Sequence, residues 1–147
     1  MKALLMQVGP AWYGLPLTAL VRVLGCAHWH PLPSAAPGLC GLLDWQGQPV
    51  PVLDLARLTL GQAQPLQRHT RLALLQQAVG NADPATTVAL LVDPGGIAEL
   101  APDSPESGHP TLAHVGRAVL HGQQLVHWLR PAALHIWAAR QAGGVHA

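Results

Sequence analysis

The residues best suited to chemistry are Cys26, His28 and His30, the densest group among two cysteines and nine histidines. In an extended Cys-x-His-x-His segment all three side chains share one face, because a strand repeats every second residue. A zinc site also needs a convergent fourth ligand, or an open water position held by oriented partners. Cys40 or a remote histidine would have to supply it, and no paired spacing such as CxxC or HExxH exists. Ordinary loop and core roles explain these residues better. A metal- or small-molecule-binding β-barrel using Cys26, His28 and His30 is therefore the rival reading.

Other catalytic groupings are weaker. His109, His114, His121, His127 and His135 are spread over loop, strand and helix, as surface or capping histidines would be. Asp103 and Glu106 lie in a Pro/Ser loop, a poor frame for acid–base geometry. Asp54 fits a helix cap and Asp93 a turn before Pro94. The serines are Ser34, Ser104 and Ser107, all in Pro-rich segments without a nucleophile elbow. Gly95-Gly96 and Gly143-Gly144 do not make a phosphate-cradling loop. The expected protein is not an enzyme and carries no cofactor.

The five tryptophans carry more weight. Trp12, Trp45, Trp128 and Trp137 fall on or beside predicted elements and suit core packing. Trp29 and Trp45 are the two expected to reach the surface, where a tryptophan at a turn can anchor another protein.

These residues must be positioned by strands. Leu39–Leu60 holds two apolar runs joined by a polar turn, Asp44 to Gln48, with Gly47 free to take positive φ. Runs this short, punctuated by Gly and Pro, predict strands. Pro49 and Pro51 cannot donate ladder hydrogen bonds, so the second strand should lie at an edge or bend. Asp54 is placed to cap a short helix, Leu55–Leu60, that Gly61 ends. A related unit follows at 114–134, where Gly116, Gly122, Gln123 and Leu125 match Gly41, Gly47, Gln48 and Val50 at one constant offset. Pro131 then opens a helix to about Gln141, with Leu134, Trp137 and Ala138 on one face. Two similar halves are implied.

Elsewhere the pattern predicts a hairpin over the first twenty residues and a helical turn at Thr18–Arg22 leading into a strand through Leu24. An irregular connection spans His28 to Gly38. A strand at Arg71–Gln76 comes next, and the loop Gly80–Pro84 separates it from another at Thr86–Val92. A turn at Asp93-Pro94-Gly95-Gly96 precedes a short strand, Ile97–Leu100, and Ala101–Pro110 should be a mobile loop. About ten short strands with few helices predict a mainly β, barrel-like fold.

Composition agrees. At 147 residues the chain is one domain, 1–147. Half of it is hydrophobic and 10% charged, against roughly 25% in typical domains, so part of the surface should be covered by something else. A net charge of +1 without basic runs gives no footprint for nucleic acid or anionic membrane. No apolar run approaches the roughly 20 residues of a membrane span. The N-terminal apolar stretch is too short for a signal peptide, so a cytoplasmic location with reduced cysteines is expected.

Laid out this way, the chain resembles the CheW family of chemosensory adaptors. Gly41-Leu42-Leu43-Asp44-Trp45-Gln46-Gly47-Gln48-Pro49-Val50-Pro51-Val52-Leu53-Asp54-Leu55 is similar to that family's Gly-hydrophobic-hydrophobic-Asn-Leu-Arg-Gly-x-x-hydrophobic-Pro-hydrophobic-hydrophobic-Asp-Leu. Leu4–Leu17 resembles the opening hairpin, Thr87–Asp93 the Val-Gly-hydrophobic-hydrophobic-Val-Asp strand, and Val115–Leu134 the closing segment. The resemblance implies two five-stranded SH3-like barrels packed with pseudo-twofold symmetry, with short helices including a C-terminal one. It also implies a non-enzymatic adaptor joining the regulatory domain of a CheA-type histidine kinase to the cytoplasmic tip of a chemoreceptor. The implied partner-binding residues are Leu20, Arg22, Gly41, Trp45, Gln46 and Gly47. The chain departs from the family at Gln46 (there Arg), Asp44 (there Asn), Arg22 (there Glu) and Arg130 (there Asp). Because charge selects partners more than it sets affinity, a divergent system such as type IV pilus control fits as well as chemotaxis.

Overall fold

The computed structural model describes every residue except 27–28, 33–37, 64, 77–86, 105, 107–111 and 146–147, and only the backbone of 141–145. Ten strands dominate it: β1 (Lys2–Val8), β2 (Ala11–Pro16), β3 (Leu20–Gly25), β4 (Trp29–Pro31), β5 (Leu39–Trp45), β6 (Gln48–Asp54), β7 (Arg71–Leu75), β8 (Val88–Glu99), β9 (Val115–His121) and β10 (Gln124–Leu129). Helix α1 (Leu55–Leu60) follows β6, α2 (Pro131–Val145) follows β10, and a 3-10 turn at Leu17–Ala19 precedes β3.

The pairings build two barrels from one pattern. In the central barrel, β3, β7 and the first half of β8 run antiparallel; β6 joins β8 in parallel, and β5 joins β6 antiparallel. In the terminal barrel the second half of β8, β1 and β2 run antiparallel; β10 joins β2 in parallel, and β9 joins β10 antiparallel. Each opening pair passes its next strand to the other barrel: β3 follows β2 across, and β8 itself changes barrels between Val92 and Asp93. This matched exchange is the expected pseudo-twofold relation. The three-residue β4, within the expected irregular connection, adds to the edge of β5.

Strand periodicity produces three apolar cores. On β1, Ala3 and Leu5 point into the terminal barrel with Val119, Val126 and Trp128. Their neighbours Leu4, Met6 and Val8 face the other way, into a core shared by both barrels and covered by Leu55, Leu134 and Ala138 of the helices. On β7, Leu72 and Leu74 fill the central barrel, while Ala73 and Leu75 join the shared core. Strands apolar on both faces are thus buried on both, and the two barrels are held as one body.

Local chemistry fixes the connections. Asp54 Oδ1 accepts from the N–H groups of Ala56 (3.0 Å) and Arg57 (3.4 Å), and Gly61 ends α1 at φ 75°, both as expected. Pro49 and Pro51 lie where β6 has β5 as its ladder partner; parallel pairing with β8 starts at Val52, so the missing donors cost no ladder bond. The expected turn at 93–96 is not a turn. β8 runs on to Glu99, with Pro94 at a register shift against β1 and Gly96 at φ 100°. Proline and glycine here bend a strand from one barrel into the next.

The two halves are related, but one residue later than the glycine match placed them. Strand pairing sets Leu39, Leu43, Val50 and Leu53 against Val115, Val119, Val126 and Leu129. The cause lies in the hairpins. Between Trp45 and Gln48 both central residues have positive φ, Gln46 at 51° and Gly47 at 79°; between His121 and Gln124 only the first does, Gly122 at 61°. These are the signatures of I′ and II′ turns, which place glycine at different positions.

Candidate partner-binding surface

The central barrel closes at an exposed mouth. β3 and β5 are not ladder partners, yet the Arg22 guanidinium carbon lies 6.0 Å from the centroid of the Trp45 ring, within cation–π range. Trp45 is half-buried and packs on the barrel core beside Leu24 and Trp29. Gln46 and Gly47 stand exposed next to it, and Asp44 Oδ1 accepts the Gly47 N–H at 3.1 Å, tightening the turn. Four of the expected contact positions, Arg22, Trp45, Gln46 and Gly47, are therefore gathered in one place.

The other two lie deeper. Leu20, opposite Leu75, is half-buried against the shared core. Gly41 is fully buried beneath β4: a Cβ there would strike the His30 carbonyl oxygen and come 2.6 Å from the Trp29 ring. Its lack of a side chain is what lets β4 lie down. Trp29 is half-buried on β4 and, like Trp45, offers only part of its ring to solvent.

A second exposed surface had no place among the expected contacts. Leu120 on β9 and Leu125 on β10 form a cross-strand pair, 70% and 47% exposed, on the face opposite the buried pair Val119–Val126. Their sequence signal is the doubled apolar character of Val119-Leu120 and Leu125-Val126, which gives each strand two apolar faces where one would suffice for a barrel wall.

Arg130 has a structural use. Its Nε donates to Asp103 Oδ2 at 3.1 Å and its Nη2 to the Ser104 carbonyl at 2.7 Å. Asp103 Oδ1 also accepts the N–H groups of Ser104 and Arg117, each at 2.8 Å. Trp128 Nε1 donates to the Ala101 carbonyl at 2.8 Å. The segment 101–104, expected to be mobile, is thus tied down across the terminal barrel. Desolvation pushes the Asp103 carboxyl up, but the bonds from Arg130, Arg117 and Ser104 outweigh it and hold the group below its usual value.

The thiols are placed as donors rather than ligands. Cys26 Sγ donates to the Thr70 carbonyl and Cys40 Sγ to the Val52 carbonyl. Burial, then the Asp54 charge, pushes the Cys40 thiol up to about 12, and burial also raises Cys26. Metal ligation needs the thiolate. His28 lies outside the described residues; among those described, no three His, Cys, Asp or Glu side chains gather to hold a metal ion. His109 is also outside them. His135 is buried in α2, and His127 is half-buried, its ring 5.7 Å from that of Tyr13. Asp93 is an anchor within β8, accepting from buried Thr70 Oγ1 at 2.8 Å. Among the described residues no helix is long and apolar enough to cross a membrane.

Comparison with known proteins agrees with this architecture. Residues 2–136 match the CheW-like domain. No curated protein matches the chain. Among solved structures, the crystal structure of the scaffolding protein TtCheW from Thermoanaerobacter tengcongensis superposes with a TM-score of 0.71 at 16% identity, covering 88% of this chain and 83% of that one. The paired barrels, the exchanged strands and a family match over nearly the whole chain lead to one assignment: this protein belongs to the CheW-like domain family.

Proposed function

We propose that this protein is a non-enzymatic coupling adaptor of a chemosensory array, joining the regulatory domain of a CheA-type histidine kinase to the cytoplasmic tip of a chemoreceptor. One observation carries the proposal. Two exposed surfaces, the Arg22–Trp45–Gln46 mouth and the Leu120–Leu125 wall, belong to different barrels that share a continuous apolar core. A bridging protein needs two contact surfaces on one rigid body, and apolar anchors at a charge-poor surface are what partner contacts use. The family match and the TtCheW likeness support the same role. The side chains at Arg22, Asp44 and Gln46 fit an array with its own partner set, such as one governing type IV pili, as well as one governing chemotaxis.

Titration calorimetry against the purified regulatory domain of the CheA-type kinase from the same genome tests the role. Saturable binding that Gln46→Glu weakens and Leu120→Asp, on the other barrel, leaves in place, with the fold unchanged, is the expected result. Absence of binding by the parent chain sinks it. Leu20→Asp is a poor probe, because Leu20 packs on the shared core and its loss weakens folding as well.

A further inference from the structure

We infer that the mouth of the central barrel receives an acidic surface of the kinase regulatory domain, with a carboxylate of that domain forming an ion pair with Arg22. The inference rests on the adaptor reading and adds the chemistry of the contact. Arg22 is exposed, with its guanidinium carbon 6.0 Å from the centroid of the Trp45 ring, and among the described residues no carboxylate forms an ion pair with it. Asp44, the acid nearest in sequence to Trp45, turns an oxygen back to the Gly47 N–H. Among the described residues the guanidinium makes no hydrogen bond, and its planar fork matches a carboxylate with two parallel bonds. An exposed cation beside the Trp45 ring is complementary in charge to a partner carboxylate, and complementarity of this kind selects the partner.

Calorimetry against the same kinase regulatory domain, at low and high salt, tests the contact with Arg22→Glu, Arg22→Ala and Arg22→Lys. Arg22→Glu should weaken binding about 10-fold or more, as like charges meet. Arg22→Lys should fall between parent and Arg22→Ala, because lysine keeps the charge and loses the fork. Arg22→Ala should also flatten the salt dependence. An exposed residue leaves folding unchanged, which circular dichroism and urea unfolding check. If the parent binds and Arg22→Glu binds within twofold of it, the inference fails while the adaptor reading stands. If the parent does not bind, both fail. If Arg22→Glu alters only self-association, measured by sedimentation, the occupant is a second copy and the inference fails.

Discussion

Asp103 accepts a hydrogen bond from Arg130 Nε at 3.1 Å, joining the segment after β8 to the end of β10. The same carboxylate caps Arg117 N–H on β9 and lies against Gly116, where a Cβ would come within 2.5 Å of Oδ2. One side chain thus closes the terminal barrel where β8 and β9 have no ladder between them. Arg130, a departure from the family pattern, is spent inside the molecule.

Asp103→Ala should therefore cost about 2 kcal/mol at neutral pH, since it removes charge-assisted bonds and leaves a half-buried arginine. The Asp103 carboxyl sits below its ordinary value in the folded state. Its stabilising contribution is then present above the unfolded value near 4 and is lost as pH falls through the lower folded value. Urea unfolding from pH 7 to 3 should show parent and variant separated above about pH 4 and converging below it. A gap that widens on acidification contradicts the assignment.

Asp54→Ala removes the acceptor for two backbone N–H groups at the start of α1. A loss of about 1–2 kcal/mol is expected, and Asp54→Asn should recover much of it. Chemical denaturation of the three proteins measures both.

Gly41→Ala places a methyl group against the His30 carbonyl and the Trp29 ring. Overpacking of this kind costs about 1–3 kcal/mol, and β4 should lift away. Faster amide exchange at Trp29 and His30, with that of β7 unchanged, is the expected signature. Wild-type exchange at β4 would show that the strand tolerates the methyl.

Cys40 is held as a thiol, with its ionisation pushed up to about 12 by burial and the Asp54 charge. At pH 8 its alkylation by iodoacetamide should be slow and should accelerate only on unfolding. Rapid native-state labelling of Cys40 would contradict the buried geometry.

Much of the fold was legible because its causes are local. Asp54 and Gly61 bracket α1 by capping chemistry, and Gly47 and Gly122 mark hairpins by positive φ. What misled was local chemistry used for a non-local end. Asp93-Pro94-Gly95-Gly96 has turn composition, yet β1 pairs with it and makes it a bend within β8. β4 is three residues long and exists because Gly41 leaves room for it, a contact with no periodic signature. The one-residue error in relating the halves came from matching glycines, whose positions follow turn type, while Leu43–Val119 and Val50–Val126 follow the barrel interior. At the surface, Arg22 and Trp45 are far apart in sequence, and only the curl of the central barrel brings them together.

The proposed role is that of a bridge between two proteins. The most direct measurement is sedimentation of the chain mixed with the CheA-type regulatory domain and a soluble chemoreceptor-tip fragment, each alone, in pairs and all three together. A ternary species that requires this chain is the predicted result, lost with Gln46→Glu or Leu120→Asp. Two proteins that associate equally well without it, or a chain that binds neither, would contradict the account.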